Sequence, residues 1–137
     1  MKKEWSPVLL SILRIVVAFL FIQHGTSKWF GFPGPMMPGG GTVPAGSLLW
    51  FAAVIETIGA PFILLGLFTR PVALLLAGEM AVAYFLMHAG RGFWPLLNMG
   101  EAAVFFCFTF LYFSATGAGP WSLDAMLARR RGVVPVL

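Results

Sequence analysis

Residues 47–89 read SLLWFAAVIETIGAPFILLGLFTRPVALLLAGEMAVAYFLMHA. Two apolar runs, 47–68 and 72–89, are separated only by Thr69-Arg70-Pro71. At 1.5 Å per residue, each is long enough to cross roughly 30 Å of hydrocarbon. Lipid offers backbone N–H and C=O groups no partner, so each run must be helical. The three-residue link reads as a tight turn that folds them into an antiparallel hairpin. Two further apolar runs flank the hairpin, at 8–24 and 99–115. The expected fold is all-α: a membrane-embedded antiparallel four-helix bundle, one domain over 1–137.

Composition agrees. Hydrophobic residues make up 59% of the 137 and charged residues 10%, with a mean hydropathy of +0.88. A soluble domain carries roughly a quarter charged residues. The net charge of +4 is concentrated at the two ends, in Lys2, Lys3, Arg129, Arg130 and Arg131. Such flanks mark the cytoplasmic side of membrane spans and point away from nucleic acid as a partner. With both termini inside, the inner side holds Lys2, Lys3, Arg70 and Arg129–131, and the outer side only Lys28 and Arg91. Trp5, Trp29, Trp50, Trp94 and Trp121 all fall at span ends, where an amphipathic ring prefers to sit. Arg14 interrupts the first run and no small-x-small site follows Ile22, so the run reads as a retained span.

The connections differ in kind. Residues 31–46, with six glycines, four prolines and no charge, cannot continue a helix and fold back against the bundle or the bilayer surface. After the fourth span, Gly117-Ala118-Gly119-Pro120 ends the helix, and 125–131 reads as a short basic amphipathic helix on the inner leaflet. The single cysteine, Cys107, excludes an internal disulfide and a CxxC dithiol, and reads as a packing residue.

Ionisable residues inside a span cost at least ~2.5–3.5 kcal/mol at its centre and mark candidate sites. Counting from the span centres places Arg14, Glu56 and Glu79 within roughly 3 Å of the midplane, on helices 1, 2 and 3. Arg14 is therefore expected to bond Glu56, Glu79 or both. One carboxylate is left over, to be protonated, paired with a ligand or water, or open to a cavity. Such a group either fixes helix register or forms a midplane site. Pro61 should kink helix 2 near Glu56 and free carbonyls there.

A second polar layer, about 10–12 Å toward the outer face, holds His24, His88 and Glu101. It reads either as a metal set on three helices or as hydrogen bonding to loops and headgroup water, and the spacing assigns no metal. Asn98 and Glu101, three apart, would share a helix face, and Glu101 suits the positive end of the helix-4 dipole. Lys28 is expected just past helix 1, reaching for headgroups. Glu79 and His88, nine apart, are close to half a turn out of phase. No phosphate loop, nucleophile elbow or haem-attachment motif is present, and two histidines exclude bis-His ligation of two haems.

Together these residues resemble the DoxX family of small four-helix membrane proteins. The resemblance rests on Arg14, His24-Gly25, Lys28, Glu56-x-x-Gly59 and Leu65-Gly66-Leu67-x-Thr69-Arg70. It continues through Met80, Ala83, His88, Asn98-x-Gly100-Glu101 and Gly117-x-Gly119-x-x-Ser122-Leu123-Asp124. Glu79 lies outside that pattern. The resemblance implies a multi-pass protein of the bacterial inner membrane, and a link to oxidoreductase complexes, quinones and redox stress. On that reading Arg14, Glu56 and Glu101 are the catalytic candidates. His24, Lys28 and His88 are the binding candidates for a quinone, in a pocket between helices 1, 2 and 4.

Three functions stay open. The first is a quinone-linked oxidoreductase or detoxification component working with a protein partner. The second is a non-enzymatic assembly subunit, with its charges fully paired and Ala77, Gly78 and Ala81 offering a small-residue face. The third is a small transporter acting as an oligomer, with a water path to Glu56.

Overall fold

Bilayer-spanning helices invert the usual pattern, hiding polar groups and presenting apolar ones, and this chain does so throughout. The computed structural model describes residues 5–35 and 39–132; Lys2 and Lys3 lie outside the described residues. Ser11, Arg14, Ser27, Glu56, Thr69 and Asn98 are buried, while Leu9, Phe19, Leu74, Phe85, Phe105 and Phe108 are among many exposed large apolar side chains. The described chain is all-helical: α1 Ser6–Phe30, α2 Leu48–Leu65, α3 Thr69–Ala83, α4 Glu101–Thr116 and α5 Leu123–Arg130. Three helical stretches are long and apolar enough to cross a membrane: Ser6–Phe30, Leu48–Leu65 and Thr69–Arg91. The last comprises α3, a π-helical turn at Tyr84–His88 and a 3-10 turn at Ala89–Arg91.

α1 packs along α2, α3 along α4, and the α2–α3 hairpin joins the pairs. One apolar core unites all four helices, with Val17, Ala18 and Phe21 from α1, Ala60 and Ile63 from α2, Leu76 and Met80 from α3, and Phe110 and Phe113 from α4. Phe21 meets Phe110 edge-on at 4.7 Å between centroids, which closes α1 against α4.

Several boundaries differ from the sequence reading. α1 continues through His24-Gly25 to Phe30, because its polar last turns face inward rather than toward a link. Gly25 permits that: a Cβ there would lie 2.8 Å from the Thr57 backbone nitrogen, so α1 and α2 touch at this point. The α2–α3 turn is Gly66–Phe68, not 69–71, with Gly66 left-handed (φ 65°) as the α2 C-cap. Pro71 lies in the first turn of α3, where a missing N–H costs nothing. Asn98 precedes α4 instead of sharing its face with Glu101. Its side chain ties the α3–α4 link together, donating to Gly92 O (2.8 Å) and Tyr84 Oη (3.3 Å) and accepting from Gly100 N (2.8 Å).

α5 is docked rather than loosely laid. Ser122 Oγ caps it by accepting from Ala125 N, and Asp124 N donates to Gly66 O at 2.8 Å. The Asp124 carboxylate accepts from Phe68 N and Thr69 N, each at 2.9 Å, and so caps α3 from another helix.

Candidate functional site

Arg14 does not bond Glu56 or Glu79. It donates to four backbone carbonyls: Nε to Ala118 O at 2.8 Å, Nη1 to Ile63 O and Leu64 O at 2.5 Å each, and Nη2 to Trp121 O at 2.6 Å. These are the freed carbonyls at the end of α2 and in the α4–α5 link. A cation there also meets the negative end of the α2 dipole. The acid nearest in electrostatic terms is Asp124. The midplane pairing fails because α1 meets α2 beside Glu56 at Gly25 and not at Arg14. Glu56 sits level with Gly25, which is eleven residues and about 16 Å along α1 from Arg14.

The partner of Glu56 is Lys28. Nζ of Lys28 donates to Glu56 Oε1 at 2.5 Å, with the carboxylate side chain 1% exposed and the lysine 14%. Lys28 therefore belongs to α1 and turns inward instead of reaching for headgroups. Glu79 on α3 lies within electrostatic reach of both Glu56 and Lys28. Four oxygens on these residues and on Thr57 are buried without a hydrogen-bond partner among the described residues: Glu56 Oε2, Thr57 Oγ1 and both carboxyl oxygens of Glu79. Pro61, four residues on, brings no N–H to the Thr57 carbonyl. His24, one turn before Lys28, feels the lysine charge and packs its ring edge-on against Phe106 of α4, centroids 5.4 Å apart.

Lys28, Glu56, Glu79 and Thr57 thus come together, with His24 beside them. Arg14, Glu101 and His88 do not join. Glu101 is exposed in the first turn of α4. His88 Nδ1 lies 3.1 Å from Asn98 O and belongs to the α3–α4 link. Among the described residues no three His, Cys, Asp or Glu side chains gather into a metal-binding group, and His24, His88 and Glu101 stand apart. Thr57 was missed by the sequence reading. Its signal was a hydroxyl beside Glu56 and four residues ahead of Pro61. The inward turn of Lys28 was signalled by its spacing of four from His24 across a glycine.

Apolar helices that enclose a half-buried lysine and two buried carboxyl groups define a multi-pass membrane protein with a polar site among its helices. The DoxX family model matches residues 9–89, and the chain belongs to the DoxX family. It is 47% identical over 125 residues to an uncharacterized protein of Haemophilus influenzae, covering 89% of this chain and 92% of the relative. It is 35% identical over 131 residues to inner membrane protein YphA of Escherichia coli, covering 86% and 89%. A more distant relative in Bacillus subtilis, 26% identical over 113 residues and covering 82% of each chain, bears the name "Putative oxidoreductase CatD". No solved structure matches. The protein is a multi-pass protein of the bacterial inner membrane.

Proposed function

We propose that this protein is a quinone-linked component of a membrane oxidoreductase, with its site at Lys28, Glu56, Thr57, Glu79 and His24. The observation that carries the reading is the set of four buried oxygens without partners. An unsatisfied polar atom in an apolar interior costs about 1–3 kcal/mol, and a bundle needing only structural pairing would not keep four together. The site is also unbalanced, with one cation against two carboxyls.

A quinone fits this donor set in kind. When bound, it accepts two electrons and two protons. Lys28 Nζ and Thr57 Oγ1 are donors for carbonyl oxygens, and His24 offers a further ring N–H. Glu56 Oε2 and the Glu79 carboxyl are the groups that pass protons. The chain has one cysteine and no haem or iron–sulfur motif, so its electrons come from a protein partner. The chain crosses the membrane four times as an antiparallel bundle with both ends cytoplasmic, a reading supported by six basic residues against two.

The test is a titration of purified protein in detergent with a short-chain quinone, read by tryptophan fluorescence; Trp29 and Trp50 meet edge-on, centroids 6.0 Å apart, near the site. Saturable binding is expected, weakened about tenfold by Glu79→Gln, the loss of one carboxyl hydrogen-bond partner. Absence of binding by folded protein would overturn the reading and favour an assembly subunit.

A further inference from the structure

We propose that the α5 end of the molecule holds a specific site for one anionic phospholipid, far along α1 from the polar site. A groove of about 490 Å3 opens between the α2–α3 turn and α5, a volume in the range of small-ligand pockets. Its walls are apolar, including Phe68, Pro71 and Ala128, and its charged lining is Arg70, Arg129 and Asp124.

Asp124 does not neutralise the two arginines, because its oxygens are spent on Phe68 N and Thr69 N. Arg70 Nη1 is bonded to Ala115 O at 2.5 Å, whereas its Nε and Nη2 make no hydrogen bond among the described residues. Arg129 is exposed. Thr69 lines the same groove, is 0% exposed, and its Oγ1 has no hydrogen-bond partner among the described residues. Two arginines and a hydroxyl donor over an apolar trough match a phosphate diester joined to glycerol and acyl chains. The bilayer supplies that occupant. The groove lies where apolar helices end, beside the exposed Phe68 and Trp121 (63% and 55%), which place it at the headgroup level. A soluble anion would use the arginines but leave the apolar walls wet.

Native mass spectrometry of the detergent-purified full chain tests this, with phosphatidylglycerol and phosphatidylcholine of equal acyl length. One phosphatidylglycerol should bind saturably, with phosphatidylcholine roughly twentyfold weaker, two basic residues' worth of attraction. Arg129→Gln should weaken phosphatidylglycerol about fivefold. Ala128→Phe, which fills the groove and keeps the charges, should also weaken it. Arg131→Gln, exposed but outside the groove, should leave it unchanged. Equal binding of the two lipids would overturn the proposal. So would an Arg131→Gln loss matching that of Arg129→Gln, since attraction would then be a property of the whole basic end. Unaltered binding to Ala128→Phe, or displacement of the lipid by millimolar inorganic phosphate, would overturn it as well.

Discussion

The Lys28–Glu56 pair is the most exacting residue-scale feature. Glu56 is 1% exposed, so its charge depends on the lysine. Lys28→Met should destabilise the protein by about 3–5 kcal/mol, because it leaves an unpaired buried carboxylate. Lys28→Met combined with Glu56→Gln should recover much of that loss, since neither charge remains. Thermal unfolding in one detergent, run as a double-mutant cycle, measures the coupling. Additive losses would show that the two do not act as a pair. Arg14 makes a different demand. Four carbonyls fan around its planar guanidinium. Arg14→Lys keeps the charge but offers three donors from a single nitrogen, and should cost on the order of 2 kcal/mol. Unchanged stability would mean that charge alone matters at the end of α2.

At the scale of elements, the register of α1 against α2 decides what the site contains. Gly25 sets that register by letting the helices touch at Thr57. Gly25→Ala should push the helices apart, costing about 1–3 kcal/mol. It should also weaken quinone binding while leaving the Arg14 end intact. A variant with unchanged stability and binding would remove Gly25 from the argument. The same contact explains what the sequence showed and hid. Four apolar stretches were legible, because lipid imposes length and composition on anything that crosses it. The end of α1 was not, because Gln23-His24-Gly25-Thr26-Ser27-Lys28 reads as a polar exit from the membrane. Here Gly25 and Ser27 are buried against neighbouring backbone, and the helix runs on. With α1 extended to Phe30, Lys28 and not Arg14 stands opposite Glu56. Arg14 was legible as a buried cation but its partners were not, because sequence displays carboxylates and conceals freed carbonyls. Glu56 and Glu79 were legible as acids inside spans; the cation that pairs with Glu56 was misassigned.

For the whole molecule, the proposed four crossings require α4 to cross the bilayer. Its 16 residues span about 24 Å, short of roughly 30 Å of hydrocarbon. The core argues that it does, since Phe110 and Phe113 are fully buried among residues of α1, α2 and α3. A helix lying on the surface would bury one stripe and leave its other face in water, yet α4 exposes Phe105, Phe108 and Leu111. In the α3–α4 link, the buried Asn98 side chain satisfies Gly92 O and Gly100 N. Four crossings put both ends on one side; three would put them on opposite sides. In a Cys107→Ala background, Gly41→Cys should react with a membrane-impermeant maleimide in intact spheroplasts. Arg131→Cys should react only after lysis. Labelling of both in intact cells would mean that α4 does not cross, and α5 could not then reach the α2–α3 turn on which it docks. Protection of Arg131→Cys alone would place both the basic end and the α5 groove at the cytoplasmic leaflet, where anionic headgroups and a soluble electron-donating partner are both within reach.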